Sequence, residues 1–320
     1  MANIKELSRR PECLAPGHRL CGGCGASMAV RQVMLGVPED AYPVVGCATG
    51  CLEVSTTVYP YDAWNVPFVH NAFENAAATV SGVEAAFKGM QRAGKIPADK
   101  KMKFVAFGGD GGTYDIGLQS LSGAMERGHD MVYVCYDNGA YMNTGIQRSS
   151  ATPKGSWATT AEVGKAQQGK PQRRKDLASI IAAHGVPYVG QSTVGHWKDL
   201  VSKAEKAFAV DGPAFLNVLA PCPRGWRIGS DETMQIARLA VDTKFWPLFE
   251  VEDGKWTLTP VKEKNLKPLE DFLRPQGRFK HLLKPENAEL LQEIKDDVED
   301  YWKYLEGRVE GSKDLTSPIE

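Results

Sequence analysis

An apolar run, Phe104-Val105-Ala106-Phe107, leads into Gly108-Gly109-Asp110-Gly111-Gly112, and a helix-like stretch from Asp115 to Arg127 follows. Strand, glycine-rich turn and helix start together make an anion-binding design, because free N–H groups of the turn point at the anion. A carboxylate inside such a turn repels phosphate unless a cation stands between them. The loop therefore reads as a site for a metal-bound diphosphate, which excludes most dinucleotide folds. A nicotinamide-dinucleotide fold is further disfavoured because GxGxxG spacing is absent here.

Around this loop, strand-like and helix-like segments alternate up to about Leu219. Strands are expected at Tyr42–Gly46, Phe104–Gly109, Met131–Asp137, Val186–Val189 and Ala214–Leu219. Helices are expected near Ala26–Leu35, Glu74–Arg92, Asp115–Glu126, Asp176–His184 and Val194–Val210. This alternation predicts an α/β fold with a doubly wound, mostly parallel sheet, in which ligands bind at the carboxyl ends of strands. The polar segment Ser149–Lys175 is too long for an ordinary connection and reads as functional, interfacial or disordered. Beyond Cys222 the character changes. A helix is expected at Asp231–Val241, a hairpin around Asp253-Gly254, and an amphipathic helix over Glu286–Leu305 with Leu290, Leu291, Ile294, Val298, Tyr301 and Leu305 on its apolar side. The chain thus divides into an α/β domain over 1–230 and a helical and hairpin extension over 231–320, packing on the core or on a partner.

A second signal ends the strand after Asp110: Tyr136-Asp137-Asn138-Gly139-Ala140-Tyr141-Met142-Asn143-Thr144-Gly145. One strand–helix–strand unit brings Asn138 to the same sheet edge as Asp110. A carboxylate, an amide carbonyl, a backbone carbonyl and two diphosphate oxygens supply five of the six hard ligands of an octahedral shell, which is a Mg²⁺ preference.

The chain has seven cysteines. Cys21-Gly22-Gly23-Cys24 is compatible with a redox pair, with a zinc site, or with half of an iron–sulfur cluster whose other thiolates come from distant points. A zinc site wants a second CxxC or a His pair nearby, and neither is present. For a 4Fe–4S cluster the further candidates are Cys47, Cys51 and Cys222. Cys135 reads as a buried core thiol and Cys13 as a free surface or interface residue.

The GDG…N pair resembles the thiamine diphosphate (ThDP) motif, which by resemblance assigns Mg²⁺ to Asp110, Asn138 and the Ala140 carbonyl. A ThDP loop and dispersed cysteines in one chain resemble the β subunit of multisubunit 2-oxoacid:ferredoxin oxidoreductases, of pyruvate synthase or oxalate oxidoreductase type. Further motifs carry the likeness along nearly the whole chain: Ala15-Pro16-Gly17-His18, Ala48-Thr49-Gly50-Cys51, Phe73-Glu74-Asn75-Ala76-Ala77, Tyr141-Met142-Asn143-Thr144-Gly145-Ile146-Gln147 and Gln276-Gly277-Arg278-Phe279-Lys280-His281-Leu282. The resemblance implies a ThDP-binding (PP-type) fold. It implies cofactor contacts from Thr49, Gly50, Gly109, Asp110, Gly111, Gly112, Asn138, Ala140, Tyr141, Met142 and Asn143. It implies 4Fe–4S ligands at Cys21, Cys24, Cys51 and Cys222, with Cys47 a neighbour, and a substrate-binding role for Asn143.

The implied activity is oxidative decarboxylation of a 2-oxoacid, pyruvate or oxalate, with electrons passed singly through the cluster to ferredoxin. Partners are implied as well. An α-type subunit would supply the pyrimidine-binding domain and its catalytic Glu, γ- and δ-type subunits would complete the assembly, and coenzyme A would serve as acceptor where the substrate needs one. A non-redox ThDP decarboxylase subunit, or another 2-oxoacid as substrate, is the alternative. Glu74 reads equally as the start of a helix facing the cofactor and as a partner of the helix dipole. His70 reads as a structural residue, with lining of the site as the alternative. The basic set Lys165, Lys170, Arg173, Arg174 and Lys175 reads as a solvated loop, with guidance of an acidic ferredoxin or a coenzyme A phosphate as the alternative.

Composition agrees with this picture. Hydrophobic residues make up 42% of the 320, charged residues 24%, and the net charge is −1, which gives no reason to expect nucleic acid or a membrane surface. A polar N-terminus without a secretory apolar core predicts a cytoplasmic protein.

Overall fold

The computed structural model describes residues 3–315. Eight strands form one sheet in the order β2-β1-β3-β4-β6-β5-β7-β8: β1 (Tyr42–Ala48), β2 (Phe68–Asn71), β3 (Met102–Gly109), β4 (Val132–Asp137), β5 (Tyr188–Thr193), β6 (Ala214–Leu219), β7 (Leu248–Glu252) and β8 (Lys255–Thr259). The first six pair in parallel, and β7 joins β5 antiparallel. Side chains of successive strand residues point to opposite faces, and here both faces are covered. Val105, Phe107, Val132, Val134 and Tyr136 pack on one side with the helices Gly25–Met34 and Trp197–Ala209. Phe104, Ala106, Met131, Tyr133 and Cys135 pack on the other with Ala76–Arg92, Leu118–Glu126 and Leu177–Ala182. Two buried faces explain why these strands read as unbroken apolar runs.

The expected α/β architecture is present, with three differences from the sequence reading, the first that the strand expected at Val186–Val189 is β5 at Tyr188–Thr193. Strand β2 was not expected: its four residues follow Pro67, include His70 and Asn71, and lie at an edge with the middle pair exposed, so no apolar run marks them. The hairpin around Asp253-Gly254 forms, and it continues the main sheet instead of standing apart. A third apolar cluster joins Leu219 and Trp226 to Trp246, Phe272, Phe279 and Ile294 from beyond residue 230. The C-terminal helix runs Ala288–Gly311 and buries Ile294, Trp302 and Leu305.

From β1 the chain steps outward to β2, then returns to β3 on the other side of β1. This reversal is a topological switch point, and a crevice opens there beyond the carboxyl ends of the strands. The turns after β1, β3 and β4 carry Thr49-Gly50-Cys51, Asp110-Gly111-Gly112 and Asn138-Gly139-Ala140 into it. The segment 149–175 has no long element, only turns and isolated bridges, yet Ser149, Ala151, Thr152, Ser156, Ala158, Ala161 and Lys170 in it are buried. No helix among the described residues is long and apolar enough to cross a membrane.

Candidate functional site

Thr49, Gly50, Cys51, Gly109, Gly111, Gly112, Asn138, Ala140, Tyr141, Met142 and Asn143 line one cleft at the switch point, together with Phe73, Tyr136 and Thr144. Asp110 lies beneath it, fully buried. Gly111 and Gly112 open a helical turn, so their N–H groups have no partner within the helix. That turn, Gly112–Ile116, is π-helical, with Gly117 N–H donating to Gly112 C=O at 2.6 Å. Such irregular turns recur at functional sites. A side chain at residue 111 has no room, because a Cβ there would stand 2.4 Å from the Tyr141 ring.

Burial raises the Asp110 carboxyl well above its usual range, and the Asp137 charge adds to this. Three donors or cations oppose it: Ser149 Oγ, the Asn138 N–H and Arg174. Asp110 Oδ2 accepts from Ser149, while Oδ1 faces Asn138. One terminal atom of the Asn138 amide stands 3.0 Å from Asp110 Oδ1 and 2.9 Å from the Ala140 carbonyl oxygen. Turned one way, the amide donates to both. Turned the other way, its oxygen completes a triangle of three oxygens.

The Asn138–Ala140 turn is held from behind. Gly139 takes φ 76°, and Asp137 Oδ1 accepts from its N–H at 3.1 Å. Asp137 in turn is paired with Arg174, whose guanidinium also donates to Tyr114 Oη at 2.6 Å. Trp226 Nε1 donates to the Asn138 carbonyl at 2.6 Å, and the buried Arg278 guanidinium stacks 3.7 Å over the Trp226 ring. The Gln276–Leu282 motif thus acts as a buttress behind the loop. Sequence reasoning missed Tyr136 and Ser149 as site residues. The Tyr136 hydroxyl is buried, lines the cleft and has no protein partner. Its place at the end of β4, three residues before the Gly139 turn, was the available signal.

The cysteines separate into two groups. Cys24 caps the helix Gly25–Met34, and its thiol is pushed up to about 11, chiefly by burial, with the charges of Cys222 and Cys51 adding to it. Burial also raises Cys51, and Cys21 contributes, while a hydrogen bond from Asn143 opposes the shift. Burial raises Cys222 too, with Cys51 and Cys21 contributing, and the Gly225 N–H donates to its sulfur at 3.4 Å. Cys21, Cys24, Cys51 and Cys222 are therefore within electrostatic reach of one another. Backbone bonds stitch their segments together: Gly25 N–H to Pro221 C=O at 3.1 Å, and Arg19 N–H to Ser55 C=O at 2.8 Å.

Among the described residues no three His, Cys, Asp or Glu side chains stand close enough to hold a metal as they are. Cys47 and Cys135 are fully buried strand residues, and Cys13 is half-buried against the core instead of lying free on the surface.

The basic set of the 149–175 segment is not a solvated patch. Lys170 is buried and donates to three backbone carbonyls, and Arg174 is committed to Asp137; only Lys165 and Arg173 are exposed. Glu74 is exposed, and His70 pairs with Glu53 at 2.9 Å.

Comparison with known proteins agrees with this geometry. Residues 45–218 match the family described as thiamine pyrophosphate enzyme, C-terminal TPP binding domain. The chain is 52% identical over 318 residues to pyruvate synthase subunit PorB of Thermotoga maritima, covering 98% of each. It is 44% identical to ketoisovalerate oxidoreductase subunit VorB of Pyrococcus abyssi, covering 86% of this chain and 88% of that one. Among solved structures, 2-oxoglutarate:ferredoxin oxidoreductase from Magnetococcus marinus shares the fold, with TM-score 0.53 and 20% identity over 72% of this chain and 78% of that one. The chain belongs to the thiamine pyrophosphate enzyme family, as a β subunit of the 2-oxoacid:ferredoxin oxidoreductases, which act with partner subunits.

Proposed function

We propose that this chain holds Mg²⁺–ThDP in the switch-point cleft and a 4Fe–4S cluster at Cys21, Cys24, Cys51 and Cys222, and that the assembled enzyme oxidatively decarboxylates pyruvate. The observation that carries the reading is shared ground: Cys51 and Asn143 line the same cleft as the Asp110 and Asn138 loops, and Cys51 also lies within reach of the other three thiols. A redox centre beside the organic cofactor is what single-electron transfer needs.

The residues fit the cation. Mg²⁺ demands octahedral oxygen ligands at about 2.0–2.1 Å, which places neighbouring ligands roughly 2.9 Å apart. Asp110 Oδ1, the Asn138 amide oxygen and the Ala140 carbonyl have edges of 3.0 and 2.9 Å. Both edges match that spacing, and the remaining positions are left for diphosphate oxygens. Gly111 and Gly112 N–H groups offer donors to the same anion. When bound, ThDP supplies the carbon nucleophile and electron sink for decarboxylation. The protein places and orients it: Tyr136 Oη, with no partner of its own, offers one hydrogen bond inside the cleft. Asn143, exposed at the rim of the cleft that Cys51 also lines, is positioned to bond substrate.

The remainder of ThDP lies against another polypeptide, the α-type subunit with the pyrimidine-binding domain and its Glu. Exposed Val54 and Ile116, on the elements that begin at Cys51 and Gly112, are apolar surface for that contact. Further γ- and δ-type subunits, ferredoxin as acceptor, coenzyme A and a cytoplasmic setting complete the proposal. Pyruvate is favoured over other 2-oxoacids by the 52% identity to PorB against 44% to VorB.

The test uses the native complex purified without oxygen. Iron, sulfide and ThDP are measured, and visible absorption is recorded before and after adding pyruvate, ketoisovalerate or oxalate separately. Bleaching by pyruvate is expected. Bleaching by another acid alone overturns the substrate assignment, and an iron-free complex that holds ThDP overturns the cluster.

A further inference from the structure

We infer that Ser149 is a positioning residue that sets the cation affinity and selectivity of the site, by deciding which oxygens Asp110 can offer. The inference rests on the cation site proposed above. Ser149 lies in the 149–175 segment, outside both loops that supply the cation ligands, and is buried. Its hydroxyl donates to Asp110 Oδ2. Oδ1 is thereby left as the single carboxylate oxygen that turns to Asn138, whose amide in turn faces the Ala140 carbonyl.

The serine is itself fixed. Its N–H donates to Thr152 Oγ1 at 2.9 Å, and that hydroxyl donates onward to the Gly139 carbonyl at 2.7 Å. One short turn, 149–152, thus grips the Asp110 loop at one end and the Asn138–Ala140 turn at the other. Ser150 N–H ties the same turn to Asp115 Oδ2 at 3.0 Å. Behind it the buried Lys170 ammonium donates to Ser150 C=O at 3.0 Å and to Thr152 C=O at 2.6 Å. The strap holds the spacing of the three oxygens before any cation arrives.

The consequence is specific to this geometry. A carboxylate held at one oxygen binds a cation through the other alone, which suits the small octahedral Mg²⁺. Released, it can bind through both, which suits the larger Ca²⁺ with its six to eight ligands. Ser149→Ala removes a hydrogen bond to a charged group, an interaction large enough to change affinity by about tenfold or more.

The experiment uses the assembled complex, stripped of cofactor and divalent ions. Bound ThDP is measured by equilibrium dialysis as Mg²⁺, and separately Ca²⁺, is titrated. For Ser149→Ala the Mg²⁺ needed for half-saturation rises about tenfold, while the preference for Mg²⁺ over Ca²⁺ shrinks. Ser149→Thr, which keeps the hydroxyl, stays within about threefold of the native complex. Ser149→Cys, close in volume but a weak donor, behaves as the alanine variant and serves if that variant does not assemble. Half-saturation and ion preference both unchanged in Ser149→Ala or Ser149→Cys overturn the inference, as does a loss confined to melting temperature. If ThDP binding to the native complex is independent of divalent ions, the cation site itself is wrong, a different result from a native dependence that the variants share.

Discussion

Gly111→Ala tests whether the cleft is the cofactor site, because the structure fixes what one methyl group does there. The new Cβ would lie 2.4 Å from Tyr141 Cδ1, 2.5 Å from Cε1 and 2.6 Å from Cγ. Carbon atoms in contact prefer about 3.5–4.0 Å, so the ring must retreat by roughly 1 Å. It does not retreat freely, since the Tyr141 backbone is pinned by its N–H bond to the Gln147 carbonyl at 2.9 Å. Overpacking of this kind costs about 1–3 kcal/mol. The backbone itself raises no objection, because residue 111 has ordinary helical angles, φ −58° and ψ −46°. The whole penalty therefore falls on a ring that lines the cleft.

ThDP affinity of the assembled complex, measured by titration at saturating Mg²⁺, should drop at least fivefold in Gly111→Ala, the low end of that range at about 1.4 kcal/mol per tenfold. Gly82→Ala is the matched control. It makes the same chemical change inside the helix Ala76–Arg92, where a Cβ meets nothing within 4 Å, and should raise stability by about 0.5–1 kcal/mol through helix propensity. Native ThDP affinity in Gly111→Ala, with Gly82→Ala behaving as stated, would mean that the cofactor does not use this cleft.

Tyr136→Phe should leave thermal stability unchanged, since the lost hydroxyl has no protein partner, while weakening ThDP binding; equal binding removes Tyr136 from the site. Serine at any of Cys21, Cys24, Cys51 or Cys222 should abolish iron content and the visible band, whereas Cys47→Ala and Cys135→Ala should keep both and lose only core packing; iron loss confined to the second pair would reverse the assignment. Asn143→Ala should lower turnover without lowering stability, because the residue is exposed; unchanged turnover rejects its substrate role. Burial pushes Lys170 down to about 7 from the ordinary lysine value of 10.5. Folding then releases a proton between these values, so this group makes stability rise with pH across about 7 to 10.5, and below pH 7 the full cost of burying the ammonium is present. Relative to Lys170→Met, the native chain should gain up to about 1.4 kcal/mol per pH unit in that window; a stability difference flat with pH contradicts the shift.

How much of this was legible follows from where each signal lives. Strands β1, β3, β4 and β6 are buried on both faces, so their apolar runs are written directly in the sequence, and the turns that end them carry Asp110 and Asn138 to one edge as the alternation requires. Strand β2 left no mark because an exposed four-residue edge needs no apolar run. The hairpin β7–β8 was legible as a hairpin but not as part of the sheet, since pairing partners are set by tertiary packing and turn residues report only the local reversal.

The same distinction governs the site. Residues whose proposed role rests on their own loop's backbone geometry, such as Gly111, Gly112 and Asn138, announce themselves by spacing. Ser149, Thr152 and Lys170 act through contacts across 39, 13 and 18 to 20 residues of chain, and no local pattern encodes such distances. Polarity and length made the 149–175 segment look like a loop. Burial of a lysine and three hydroxyls in it is what turns that loop into a strap. A segment without periodicity can be as tightly specified as a strand when its polar groups are buried and paired, because each one left unpaired would cost about 1–3 kcal/mol. The 149–152 turn meets that condition against both the Asp110 loop and the Asn138–Ala140 turn, so its geometry is fixed by the two turns it joins.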